Sequence, residues 1–158
     1  MLRFNACQVF YSGMDNAIQE YDMENRMLIT INDYQRLTGL IEFASLKVKM
    51  PEIVNRLCNE FKDAKMLPQE KISNRVITMN SRVLLKEVSN GREAEITITY
   101  PQDADNREKK VSVFSPIGVA LLGRQAGDVV SWKVPKGIGK FEIVEVTYQP
   151  EAVGHYYL

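Results

Sequence analysis

Near residue 74 the spacing of apolar side chains changes from every third or fourth position to every second. One element cannot satisfy both periods, because a helix repeats its faces every ~3.6 residues and a strand every second residue. The chain is therefore expected to fold as a helical part followed by a sheet part.

In the helical part, Asn32 and Asp33 offer an N-cap, and Leu37, Leu40, Ile41 and Ala44 follow at helical spacing. Lys47-Val48-Lys49-Met50 breaks the pattern, and Pro51 suits the first position of a second helix. Val54, Leu57, Cys58, Phe61 and Ala64 carry the stripe on to about Met66, before Pro68. Two helices of ~14 residues each predict a hairpin ~21 Å long, held by its own apolar seam. Cys58 lies on that seam and is expected to fill the core.

In the sheet part, Ala94, Ile96, Ile98 and Tyr100 alternate with Glu95, Thr97 and Thr99, the pattern of a half-buried strand. It is joined to a strand over 83–88 through Ser89-Asn90-Gly91. Residues 109–114 predict a further strand after the polar loop 101–108, and 129–134 pairs with 140–148 across the turn 135–139. Between them, Ser115 reads as an N-cap, Pro116 as the first helical residue and Gly123 as the stop, with Leu121 and Leu122 in the core. Trp132 is expected to pack on the sheet. A short helix on a twisted antiparallel sheet defines an α+β fold. The expected organisation is an extension over 1–28 without a core role, where Met23 and Met27 precede the first patterned segment, a hairpin over 29–71 and the sheet domain over 72–158.

Composition narrows the function. Twenty Lys+Arg balance twenty Asp+Glu, and no block of the chain is strongly basic, so direct nucleic-acid binding is not expected. No apolar run reaches the ~18 residues of a membrane span, and polar residues interrupt any signal-peptide core at the N-terminus. Cys7, Cys58 and His155 are too few and too scattered for a zinc site or a disulfide framework. His155 is expected on the surface of the tail. Lys136-Gly137-Ile138-Gly139-Lys140 lacks the spacing of a phosphate loop and ends in Phe141 where that loop needs Ser or Thr. A reduced cytoplasmic protein with no cofactor is the expectation.

Residues 115–148, SPIGVALLGRQAGDVVSWKVPKGIGKFEIVEVTY, resemble the C-terminal domain of the bacterial transcript-cleavage factors GreA and GreB. The shared pattern is Ser-Pro-x-Gly-x-Ala-Leu-Leu-Gly, a spacer, Gly-Asp, then Pro-x-Gly before the last strand. VITMNSRV (76–83) and the ending YQPEAVGHYYL (148–158) are similar to one branch of that family, the regulators of nucleoside diphosphate kinase (Rnk). Members of the branch close with Tyr-Gln-Pro-Glu-Ala-x-Gly-x-Tyr, although His155 stands where an acidic residue is usual. The resemblance covers about residues 29–158 and is strongest from 76 onward.

The resemblance implies an FKBP-like domain behind a short antiparallel helical hairpin. It also implies binding of RNA polymerase at the rim of the secondary channel, with contact to nucleic acid only through the polymerase. Carried across by position, Ser115 and Pro116 would meet the rim, with Phe114 and Ile117 beside them. Phe114 departs from the family, which tends to place a polar residue there.

In the cleavage factors a longer hairpin carries acidic residues that hold magnesium in the polymerase active site. The tip here, Ser45-Leu46-Lys47-Val48-Lys49-Met50, has no carboxylate, and its Lys47 and Lys49, flanking Val48, would repel a cation. The nearest acids are Glu42 and Glu52, one turn back. The expected role is thus a non-catalytic polymerase-binding regulator that competes with Gre-type factors. Two alternatives stand beside it: residual transcript cleavage through Glu42 and Glu52, and peptidyl-prolyl isomerisation by the FKBP-like domain.

Overall fold

The computed structural model of the protein describes residues 26–45 and 52–158. Helix α1 spans Ile31–Ser45 and α2 spans Glu52–Lys62. The Tyr34 and Phe61 rings lie 5.2 Å apart, so the start of α1 sits beside the end of α2 in an antiparallel hairpin. Leu37 and Ile41 of α1 and Val54, Leu57 and Phe61 of α2 are buried, with Leu40 and Cys58 half-buried at their flank. The stripe stops short of the expected Ala44. Residues 42–44 are all exposed, Phe43 at 59%, because the last turn of α1 runs past the core.

The cap differs as well. Thr30 rather than Asn32 or Asp33 starts α1: its Oγ1 accepts the Asp33 N–H at 3.0 Å. Thr30 ends a short strand, β1 (Leu28–Thr30), so the helix begins as soon as the extended segment is paired.

Its partner is β2 (Lys65–Leu67), lying parallel to it with Ile29 opposite Met66. This pairing replaces the expected last turn of α2. The Lys65 N–H bonds the Met27 carbonyl at 2.9 Å, and Met66 is left half exposed. Met27 enters the core, 2% exposed, against Gly123, where any Cβ would sit 2.3 Å from the Met27 Cγ. An extension without a core role therefore does not describe Met27. Met23 and Cys7 lie outside the described residues.

The second sheet has five strands: β3 (Arg82–Glu87), β4 (Glu93–Thr99), β5 (Lys110–Ser112), β6 (Val129–Val134) and β7 (Gly137–Tyr148), in the order β5-β4-β3-β7-β6. The pairings β3–β4, β3–β7 and β6–β7 are antiparallel. β4–β5 is parallel, with Ile98 opposite Val111, which corrects the expectation of a wholly antiparallel sheet. The physical reason lies in residues 101–109. Two 3-10 turns and Lys109 in the left-handed region (φ 55°) carry the chain back along β4 before β5 begins.

The β6–β7 turn is tighter than the 135–139 loop expected, since Val134 already faces Gly137. Gly139 lies in the strand opposite Trp132, and the Trp132 and Phe141 rings stack at 3.9 Å. A Cβ on Gly139 would meet the Phe141 ring at 2.6 Å, so the stack depends on the bare glycine. Helix α3 (Pro116–Leu121) covers the inner face, and Leu121 and Leu122 are fully buried. Val83, Leu85, Ile98, Leu121 and Ile143 form one continuous core with Leu37, Leu57 and Phe61 of the hairpin. The α+β class is as expected.

Candidate functional site

Helix α3 is fixed by the turn that precedes it. Ser115 Oγ accepts the Gly118 N–H at 3.1 Å and donates to the Ser112 carbonyl at 2.6 Å. The Phe114 N–H donates to Ser112 Oγ at 3.1 Å. Pro116 takes the first helical position, where no N–H is needed. Gly118 is packed so closely that a Cβ would lie 2.2 Å from the Ser112 carbonyl oxygen. Phe114 and Ile117 pack against the core with part of each surface in solvent, and Pro116 is exposed between them. Phe114, Ser115, Pro116 and Ile117 are thus brought together on one rigid turn with an apolar rim.

A second cluster joins this domain to the hairpin. The Asp33 carboxylate, 3% exposed, accepts the Met79 N–H at 3.2 Å and faces the Tyr100 hydroxyl at 3.5 Å. Burial, helped by the negative charge of Glu151, raises its pKa to about 6. Burial and Asp33 together push Tyr100 up to about 12. Glu151 Oε2 accepts the Thr78 hydroxyl at 2.7 Å, and Thr78 in turn meets Ser81 Oγ at 2.9 Å. Gln149 Nε2 donates to the Ser73 and Val76 carbonyls, each at 2.8 Å. Arg36 donates to the Leu158 carbonyl, which ties the tail to α1.

Sequence reasoning missed this cluster. Thr30-x-x-Asp33 has the spacing of a helix cap, and that was the one local signal for Thr30. Nothing local marks Thr78 or Gln149. His155 also departs from a simple surface residue, being half-buried with its Nδ1 2.8 Å from the Tyr148 hydroxyl.

Lys47, Val48 and Lys49 lie outside the described residues. Glu42 is exposed near the end of α1 and Glu52 is the exposed first residue of α2. Two carboxylates flanking a segment with two lysines and no acid do not fit a magnesium ion. Among the described residues no group of three or more His, Cys, Asp or Glu could hold a metal. Trp132, 9% exposed and stacked on Phe141, is part of the core. No described helix is long and apolar enough to cross a membrane.

Residues 72–148 match the family model "Transcription elongation factor, GreA/GreB, C-term". The chain is 36% identical over 140 residues to the regulator of nucleoside diphosphate kinase of Escherichia coli (strain K12), covering 85% of this chain and 99% of that protein. It is 34% identical over 121 residues to transcription elongation factor GreA of Clostridioides difficile (strain 630), covering 77% of this chain and 76% of that one. Among solved structures, the prokaryotic transcription elongation factor GreA/GreB from Nitrosomonas europaea superposes with a TM-score of 0.67 at 35% identity. The match covers 79% of this chain and all of that one.

Proposed function

Because the chain belongs to the GreA/GreB family of transcription elongation factors, with Rnk among its relatives, we propose that it is a non-catalytic regulator that binds RNA polymerase. It occupies the entrance of the secondary channel and competes there with Gre-type factors in the cytoplasm. The observation that carries the reading is the turn Phe114–Ile117. Its backbone is locked by Ser112, Ser115 and Gly118, while Pro116 and the edges of Phe114 and Ile117 face solvent. A preorganised apolar contact loses little entropy on docking, so a small turn can anchor a large partner. The composition of the hairpin end supports the non-catalytic part. Lys47 and Lys49 bring positive charge where a cleavage factor needs carboxylates.

The test is binding of the purified full chain to core RNA polymerase, with and without excess Gre factor. Saturable binding that the Gre factor displaces is expected, weakened at least tenfold by Pro116→Glu. Absence of binding at micromolar concentrations would remove the proposal. Stimulated cleavage of a backtracked complex, abolished by Glu52→Ala, would replace it with a catalytic reading.

A further inference from the structure

Of the asparagines in the chain, Asn90 alone is followed by a glycine. Asn90 and Gly91 lie exposed in the turn between β3 and β4, and the turn requires both. Gly91 stands in the left-handed region at φ 70°, which a side chain would strain. Asn90 Oδ1 accepts the Arg92 N–H at 2.9 Å, a bond that asparagine makes readily in turns. The same pair is chemically labile. With no side chain on Gly91, its backbone nitrogen has the least hindered approach to the Asn90 carboxamide carbon, and the attack is intramolecular.

In the folded chain the reacting atoms are engaged elsewhere. The Gly91 N–H donates to the Glu87 carbonyl at 2.8 Å, so its proton is shielded from hydroxide. Asn90 Nδ2 donates to Glu87 Oε2 at 2.7 Å, and Ser89 Oγ donates to Glu87 Oε1 at 2.9 Å. The bond from Asn90, and after it the bond from Ser89, hold the Glu87 carboxyl below the ordinary carboxylate range, and the charges of Arg92 and Lys136 act in the same direction. The carboxamide is thus bonded at both ends, through nitrogen to Glu87 and through oxygen to the Arg92 amide. Attack needs the Gly91 nitrogen to close on the carbon to ~3 Å in the right orientation, and a carboxamide fixed at both ends is not free to turn to it.

We propose that Asn90 is a site of spontaneous deamidation, with water as the co-reactant and the Glu87 carboxylate as the brake. Hydroxide removes the Gly91 amide proton, and the nitrogen attacks Asn90 Cγ. A bond from Cγ to the Gly91 nitrogen forms and the Cγ–Nδ2 bond breaks. Nδ2 leaves as ammonia with a proton from water, which restores the hydroxide. A second water then opens the cyclic imide. Opening at Cγ gives aspartate, and opening at the main-chain carbonyl gives isoaspartate, whose backbone runs through Cγ. Nothing is oxidised or reduced. Either product removes the donor to Glu87 and adds a negative charge beside it, so like charge meets like charge in the turn. The site is separate from the turn at Phe114–Ile117, and the proposal does not rest on polymerase binding.

The test incubates the full chain at pH 7.5 beside an end-blocked peptide of residues 86–93. Conversion at position 90 is followed by peptide mass spectrometry, with the isoaspartate form separated by chromatography. The intact chain is expected to convert at least tenfold more slowly than the peptide, and Glu87→Ala to recover about tenfold of the difference. Phe61→Ala loosens the core without touching the turn and is expected to leave the rate unchanged. Asn90→Asp, which stands for the aspartate product, should have a lower Tm than the parent. Conversion of the parent at the peptide's rate would overturn the proposal. So would no gain in Glu87→Ala, an equal gain in Phe61→Ala, or an Asn90→Asp chain as stable as the parent.

Discussion

Asp33 concentrates the electrostatic tension of the molecule in one carboxylate. Its neighbours are Arg36 on its own helix, Tyr100 at the end of β4 and Glu151 in the tail, and the negative charge of Glu151 reinforces what burial already does to the proton. With the folded pKa raised from 3.8 to about 6, the folded state holds a proton that the unfolded chain has released. The sign follows: this group's contribution to stability rises as pH falls from about 6 toward 4, and above 6 it opposes folding by up to about 3 kcal/mol. Asp33→Asn keeps an acceptor for the Met79 N–H and removes the charge. The variant is expected to be more stable than the parent at pH 7.5, with the gap roughly halved at pH 5. Urea denaturation at the two pH values measures this, and an unchanged difference between them would refute it. The residue was visible in the sequence as an acid near a helix start. Its burial was not, because Met79, Tyr100 and Glu151 come from elements 46 to 118 residues away.

At the scale of elements, α3 shows how a six-residue helix is held without length of its own. Isolated helices this short do not persist in water, so the cap, the first-turn proline and the packed glycine carry it. Ser115→Ala removes the acceptor for the Gly118 N–H and should cost about 1 kcal/mol. Gly118→Ala drives a methyl into the Ser112 carbonyl and the Val113 backbone, and should cost at least about 2 kcal/mol. Thermal melts of the two variants rank them, and the reverse order would show that the turn relaxes more readily than its packing implies. The Ser-Pro start and the Gly123 stop were legible because capping is local chemistry. The periodicity of both hairpin helices and of the strands on either side of Asn90-Gly91 was legible too, although the cap of α1 lies at Thr30 and not at Asn32 or Asp33. The β1–β2 pair was not legible: three residues of Lys65–Leu67 extend a helical pattern in sequence, and only Met27 and Leu28 turn them into a strand.

Across the whole molecule, the hairpin and the sheet share one apolar core. Phe61 and Leu57 belong to the same packed cluster as Leu121 and Ile143, and Arg124 pairs with Glu60 across the junction. A continuous core favours a single cooperative transition. Phe61→Ala, in the hairpin, should lower stability by about 3 kcal/mol. It should shift the midpoint seen by helix circular dichroism and by the fluorescence of Trp132, in the sheet, by the same amount. Separate midpoints would show that the hairpin unfolds on its own.

The sequence by itself determined the three α-helices and the five strands of the larger sheet in their order, because periodicity, caps and turn residues act over a few positions. It also carried the family resemblance from Ser115 to Tyr148 and the charge reversal at Lys47 and Lys49. Only the tertiary structure decided that β1 pairs with β2, that β3 pairs with β7, that β5 runs parallel to β4, and that Asp33 is buried. Each of these depends on residues far apart in the chain meeting across a shared core, and the energy that selects such meetings is burial summed over many partners.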